Sequence, residues 1–99
     1  MRLYIDTRES ERVVVEVGGE RVERKGRAQE VLVIIDELLK KQGKTVEEIS
    51  EIEVAEGPGS FTGLRVGAAV ANTLGWVLGV PVNGKNVEKE GGVEPKYGG

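Results

Sequence analysis

The chain has no cysteine and no histidine. Without cysteine there is no disulfide framework, zinc ribbon or thiol nucleophile. Without histidine, imidazole triads, His-rich metal sites and a His general base are excluded as well. Aromatic residues are scarce: one Trp, one Phe and two Tyr in 99 residues. No apolar run approaches the roughly 20 residues of a membrane span, and Asp6 stands where a signal peptide needs its apolar stretch. The net charge of −3 argues against neutralising a phosphate backbone as the main task. What remains, 38% apolar and 31% charged residues, reads as one small globular domain. A chain this short buries a modest share of its surface, so its stability margin is thin.

Residues 1–83 carry nearly all the large apolar side chains. The last sixteen, Gly84 to Gly99, hold five glycines and six charges, with Val87, Val93 and Tyr97 as the sizeable apolar groups. That composition predicts a loosely attached or disordered tail.

Leu3-Tyr4-Ile5 before Asp6-Thr7 reads as a buried first strand. Arg12 to Val17 is β-branched and strand-like, Gly18-Gly19 supplies a two-residue hairpin turn, and Glu20 to Lys25 reads as a solvated edge strand. Arg21, Arg24, Lys25 and Arg27 form a basic patch, read first as a charged sheet edge and second as a nucleic-acid contact. Ala28 to Gln42 is read as a helix from the recurrence of Val31, Ile34/Ile35 and Leu38/Leu39 and from Lys40-Lys41 before Gly43. Val31 to Ile35 covers every side of that helix, which predicts burial on two sides, the second against another helix or another protein. Thr45 to Glu48 matches a capping box, and Ile49 to Glu56 reads as a strand. A second helix is predicted from Ser60 to Leu78, and a short last strand at Val80 to Asn83. The order is β-β-β-α-β-α-β, an α/β fold with a mixed sheet and two main helices.

Glu56 to Gly67 joins a strand to the second helix. Gly57 and Gly59 flank Pro58, and Ser60 or Thr62 can cap the first N–H groups of the helix. Gly57, Gly59, Ser60, Thr62 and Gly63 therefore form either a structural corner or a cradle for a phosphate or nucleotide. No Lys-Ser/Thr pair closes a P-loop, and the spacing G-x-G-x-x-x-G departs from the dinucleotide fingerprint.

Gly63, Gly67, Ala71 and Gly75 recur every four residues and line one ridge of the second helix. Interior glycines cost about 1 kcal/mol each relative to alanine, so a ridge of them calls for a packing reason. Close approach of a facing helix is the expected one, with Leu64, Val66, Val70, Leu74 and Val77 laid on the sheet. The expected partner interface is Val31, Ile34, Ile35 and Leu38 on the first helix with Gly63, Gly67, Val70, Ala71 and Leu74 on the second.

The stretch Gly57-Pro58-Gly59-Ser60-Phe61-Thr62-Gly63-Leu64-Arg65-Val66-Gly67 resembles the signature of the TsaB (YeaZ) family of tRNA threonylcarbamoyladenosine biosynthesis. Ile5-Asp6-Thr7, Ile35-Asp36-Glu37-Leu38-Leu39 and Val80-Pro81-Val82 stand in register around it. The resemblance spans residues 2–83, the first lobe of that family. It implies a ribonuclease H-like lobe of the actin-like ATPase superfamily, acting as a cytoplasmic, non-catalytic partner of a TsaD-like transferase. It further implies pairing through the first-lobe helices, a TsaE-like ATPase joining the pair, a homodimer when alone, and tRNA met only through the complex. TsaD-like enzymes hold a metal with histidines, which this chain lacks, so no metal site and no resident cofactor is expected; ATP or ADP is left only to an interface with a partner. Gly84-Lys85-Asn86 departs from the family's usual entry to its next helix, and Val93 to Tyr97 resembles the proline-tyrosine ending of full-length members.

The rival reading is enzymatic. Asp6, Glu30 or Glu37, and Glu56 stand loosely where ribonuclease H-like nucleases place the carboxylates that bind two Mg²⁺ ions. Peptidase chemistry is disfavoured because Ser60 has no histidine partner.

Overall fold

The computed structural model describes residues 1–95. Strand β1 (Arg2–Asp6) pairs antiparallel with β2 (Arg12–Val17), which pairs antiparallel with β3 (Glu20–Lys25). Gly18 and Gly19 form the tight turn between β2 and β3, both at positive φ as a type I′ hairpin requires. Strand β4 (Glu51–Val54) lies parallel to β1, with Leu3 opposite Ile52 and Ile5 opposite Val54. The sheet order is β3-β2-β1-β4, with the charged β3 at the edge as predicted.

Strand alternation decides which face receives the helices. Leu3, Ile5, Val13, Val15, Val17, Ile52 and Val54 are buried and share one face, whereas the alternate residues of β1 and β4 (Arg2, Tyr4, Asp6, Glu51, Glu53) are not buried. Helices α1 (Val31–Gln42) and α2 (Phe61–Leu78) both pack on the apolar face. The thinnest dimension, 17 Å, matches one sheet and one helix layer. The predicted start of α1 at Ala28 is instead a 3-10 turn, Ala28–Glu30, and Gly43 at φ +65° ends the helix where expected. Val46–Glu48 is likewise one 3-10 turn, its Glu48 carboxylate accepting from the Thr45 N–H at 2.8 Å.

Two expectations about the C-terminal part are corrected. The predicted last strand shrinks to a single parallel bridge between Val82 and Ile52, because Asn83 at φ +50° and Gly84 at +77° turn the chain back at once. Residues 84–95 are not a loose tail. They form a short helix, α3 (Val87–Glu90), and a segment whose Val93 is only 4% exposed within the main core. Composition does not show this, because two well-placed valines, Val87 and Val93, and two side-chain-to-backbone hydrogen bonds hold the segment. Tyr97 and its neighbours 96, 98 and 99 lie outside the described residues.

Candidate functional site

The glycine corner follows β4 and opens α2. The Ser60 hydroxyl oxygen caps α2 by accepting from the Gly63 N–H at 3.3 Å. The Ser60 N–H donates to the Arg8 carbonyl at 2.7 Å, and a Cβ on Gly59 would lie 2.6 Å from that same oxygen. One turn further, a side chain on Gly63 would collide with the Thr7 carbonyl, and one on Gly67 with the Thr7 hydroxyl. Thr7 itself is 1% exposed and donates to the Gly63 carbonyl at 2.7 Å. The glycines therefore let α2 sit directly on the end of β1. Thr62 is exposed at the same helix start.

This geometry corrects the orientation expected for α2. The ridge Gly63, Gly67, Ala71, Gly75 is buried against the chain's own backbone and side chains, Gly63 and Gly67 against Thr7, and Gly75 against Val82 and against Val87 of the short helix α3. Of the side chains expected on the sheet, Leu64 is buried, Val66, Val70 and Leu74 are half-buried, and Val77 is exposed. On α1, Val31, Ile34, Ile35 and Leu38 belong to the core of the single chain, so none of the four is left over for a partner. The physical reason is plain. A helix stripped of side chains on one ridge gains most by bringing that ridge onto backbone, and the core is the nearest backbone.

What the helices leave uncovered is a different set. Leu32 and Val33 on α1 and Phe61, Trp76 and Val77 on α2 are each more than half exposed. The Phe61 ring carries the Arg65 guanidinium 5.4 Å from its centroid, a cation–π contact along one helix turn. Phe61, Arg65, Ala69 and Trp76 follow helical spacing along the side opposite the glycines. Reading the glycines as the buried face would have revealed that side from sequence. The expected burial of α1 on a second side is not supplied by the described residues, which leave Leu32 and Val33 about half exposed.

The helix-free face of the sheet carries a cleft of about 580 Å³ lined by Arg2, Tyr4, Arg8, Glu53, Glu56 and Asn83 among others. Its charges are largely engaged pairwise. Arg2 pairs with Glu53, and Arg8 grips Asp6 through Nε at 3.1 Å, Nη2 at 2.8 Å and the backbone N–H at 3.0 Å. Partial burial alone would raise the Asp6 carboxyl, but these Arg8 hydrogen bonds and charge outweigh it and hold the group below the ordinary carboxylate range. Burial, then the Asp6 charge, pushes the Tyr4 hydroxyl up. With Asp6 engaged by Arg8, it does not present a free carboxylate beside Glu56, and among the described residues no three acids converge as a metal site. The basic patch is likewise partly paired, Arg24 with Glu37 at 2.9 Å and Arg21 with Glu23 at 3.9 Å. Among the described residues no helix is long and apolar enough to cross a membrane.

The family model described as "TsaD: tRNA N6-adenosine threonylcarbamoyltransferase" matches residues 9–87. The chain belongs to this family. Within it, the chain is a TsaB (YeaZ)-type first lobe, with the ribonuclease H-like fold of the actin-like ATPase superfamily. It is 35% identical over 60 residues to the tRNA threonylcarbamoyladenosine biosynthesis protein TsaB of Bacillus subtilis, covering 61% of this chain and 26% of that protein. It is 42% identical over 52 residues to the tRNA N6-adenosine threonylcarbamoyltransferase of Ralstonia pickettii, covering 52% of this chain and 15% of that enzyme. The solved structure of YeaZ from Pseudomonas aeruginosa superposes with a TM-score of 0.67 at 29% identity, covering 82% of this chain and 42% of that one. The TsaB-type lobe thus spans about a quarter of the first of these relatives and under half of the solved structure.

Proposed function

We propose that the chain serves tRNA threonylcarbamoyladenosine biosynthesis as a non-catalytic partner subunit. It pairs through the outer sides of α1 and α2 with a TsaD-like transferase, or with a second copy when alone. A TsaE-like ATPase joins the pair, tRNA is met through the complex, and any ATP or ADP is held at an interface rather than by this lobe alone. The observation that carries the reading is the set of large apolar side chains, Leu32, Val33, Phe61, Trp76 and Val77, left uncovered on the two helices. Of these, Trp76 is of the residue type that most often dominates the energy of an interface. Val70 and Leu74, half-buried at the margin, extend the same surface, while the other residues first expected there support it from beneath. The nuclease reading has less to stand on, because Asp6 is taken up by Arg8.

Native mass spectrometry of the chain, alone and mixed with a TsaD-like protein, tests the proposal. A one-to-one complex is expected. A chain that stays monomeric in both samples overturns it.

A further inference from the structure

The segment Gly84–Pro95 follows Val82 and returns along the flank of α2 that carries Asn72 and Gly75. It is fastened at two places. Val87 sits over Gly75, whose missing side chain leaves the space that Val82 and Val87 occupy. Six residues on, Asn72 clamps Val93 in both directions: its Nδ2 donates to the Val93 carbonyl and its Oδ1 accepts from the Val93 N–H, each at 2.9 Å. The Val93 side chain then enters the same core as Ala71, Ile52 and Val82. Gly92, at φ +82°, lies so close that a Cβ there would stand 2.7 Å from Asn72 Oδ1. Between the fasteners, α3 is one short helix capped by Asn86, whose side chain accepts from the Lys89 N–H at 3.0 Å.

We propose that Gly84–Pro95 is a reversible latch, closed by the Asn72 amide on the Val93 backbone, that covers the flank of α2 and opens as a unit separate from the sheet core. Few elements hold it. Apart from buried Val93 and half-buried Val87, Gly92 and Pro95, its described residues are exposed, and a segment tied by so few contacts opens at lower free energy than the four-stranded core. The clamp is specific to an amide. A carboxylate at position 72 still accepts from the Val93 N–H but cannot donate, and it sets a negative charge against the Val93 carbonyl. Opening uncovers the apolar strip around Gly75 and Val82 on the C-terminal half of α2. The proposal stands on intramolecular contacts and does not depend on the partner reading.

Amide hydrogen exchange on the full chain tests it. In the unaltered chain, the Val93 amide should exchange more slowly than a free peptide amide yet faster than the amides of Ile5 and Val15. In Asn72→Asp, Val93 exchange and tryptic cleavage after Lys89 should both rise roughly tenfold, as expected for one lost hydrogen bond and an added repulsion, with Ile5 and Val15 unchanged. The neighbouring exposed change Thr73→Ala should leave both rates as they were. An unprotected Val93 amide in the unaltered chain overturns the latch. So does an Asn72→Asp chain with unchanged Val93 exchange, or one in which Ile5 and Val15 lose protection together with Val93.

Discussion

The Thr7 hydroxyl donates to the Gly63 carbonyl and lies where a side chain on Gly67 would have to go. This contact ties the end of β1 to the first two turns of α2, and it explains two of the costly glycines. Gly67→Ala should therefore destabilise the fold by up to about 2 kcal/mol: overpacking costs about 1–3 kcal/mol, less the roughly 1 kcal/mol that alanine adds to a helix. Because the collision is with the Thr7 hydroxyl, the double change Thr7→Ala with Gly67→Ala should cost less than the sum of the singles. Urea unfolding of the four chains measures this, and strict additivity would remove the collision as the cause. Gly67→Leu should unfold the chain outright rather than wedge a partner away.

The uncovered side of the helices makes the opposite prediction. Trp76→Glu and Leu32→Glu replace side chains that the fold leaves more than half exposed, so stability should change by no more than about 0.5 kcal/mol. Association with a TsaD-like protein should weaken roughly tenfold or more. Calorimetric titration alongside thermal unfolding separates the two effects. Unchanged affinity in both variants would move the interface elsewhere.

The Asp6–Arg8 pair gives a pH dependence of defined sign. A carboxyl held below its ordinary value in the folded chain stabilises that chain above the unfolded-state pKa, and the benefit disappears as pH falls through the folded value. In Arg8→Ala the guanidinium's hydrogen bonds and charge are lost while burial, the backbone N–H of residue 8 and the Tyr4 hydroxyl remain, so the Asp6 titration should move upward. The stability gap between the two chains should be present near neutral pH and close once both carboxyls are protonated. Carbon-13 detected titration of the Asp6 carboxyl, with chemical denaturation at each pH, checks both statements.

At the start of α2, Ser60→Ala removes the cap on the Gly63 N–H and should cost about 1 kcal/mol. Thr62→Ala, one position inside the helix and exposed, should cost much less. Equal losses in denaturant midpoints would mean that the Ser60 hydroxyl is not the cap.

Much of the fold is legible from local pattern. Gly18-Gly19 announces the hairpin, the alternation of Leu3, Ile5, Val13, Val15 and Val17 marks the core face, and Gly43 and Gly79 stop the two helices where the apolar period ends. Two things were not legible. The glycine ridge fixes which side of α2 lacks side chains, but not whether the facing object is a helix or the end of a strand. The composition of residues 84–95 shows few apolar groups, but not that Asn72 and Gly75, far away in sequence, are shaped to receive them.

By itself the sequence determined the element order, the buried face of the sheet and the family signature, because period, turn chemistry and glycine spacing act over a few residues. Only the tertiary structure decided that the glycines face Thr7, that Val93 closes the core, and that Leu32, Phe61 and Trp76 remain uncovered. Those outcomes depend on contacts between residues distant along the chain, and a periodic helix does not specify which of its sides will find the sheet first.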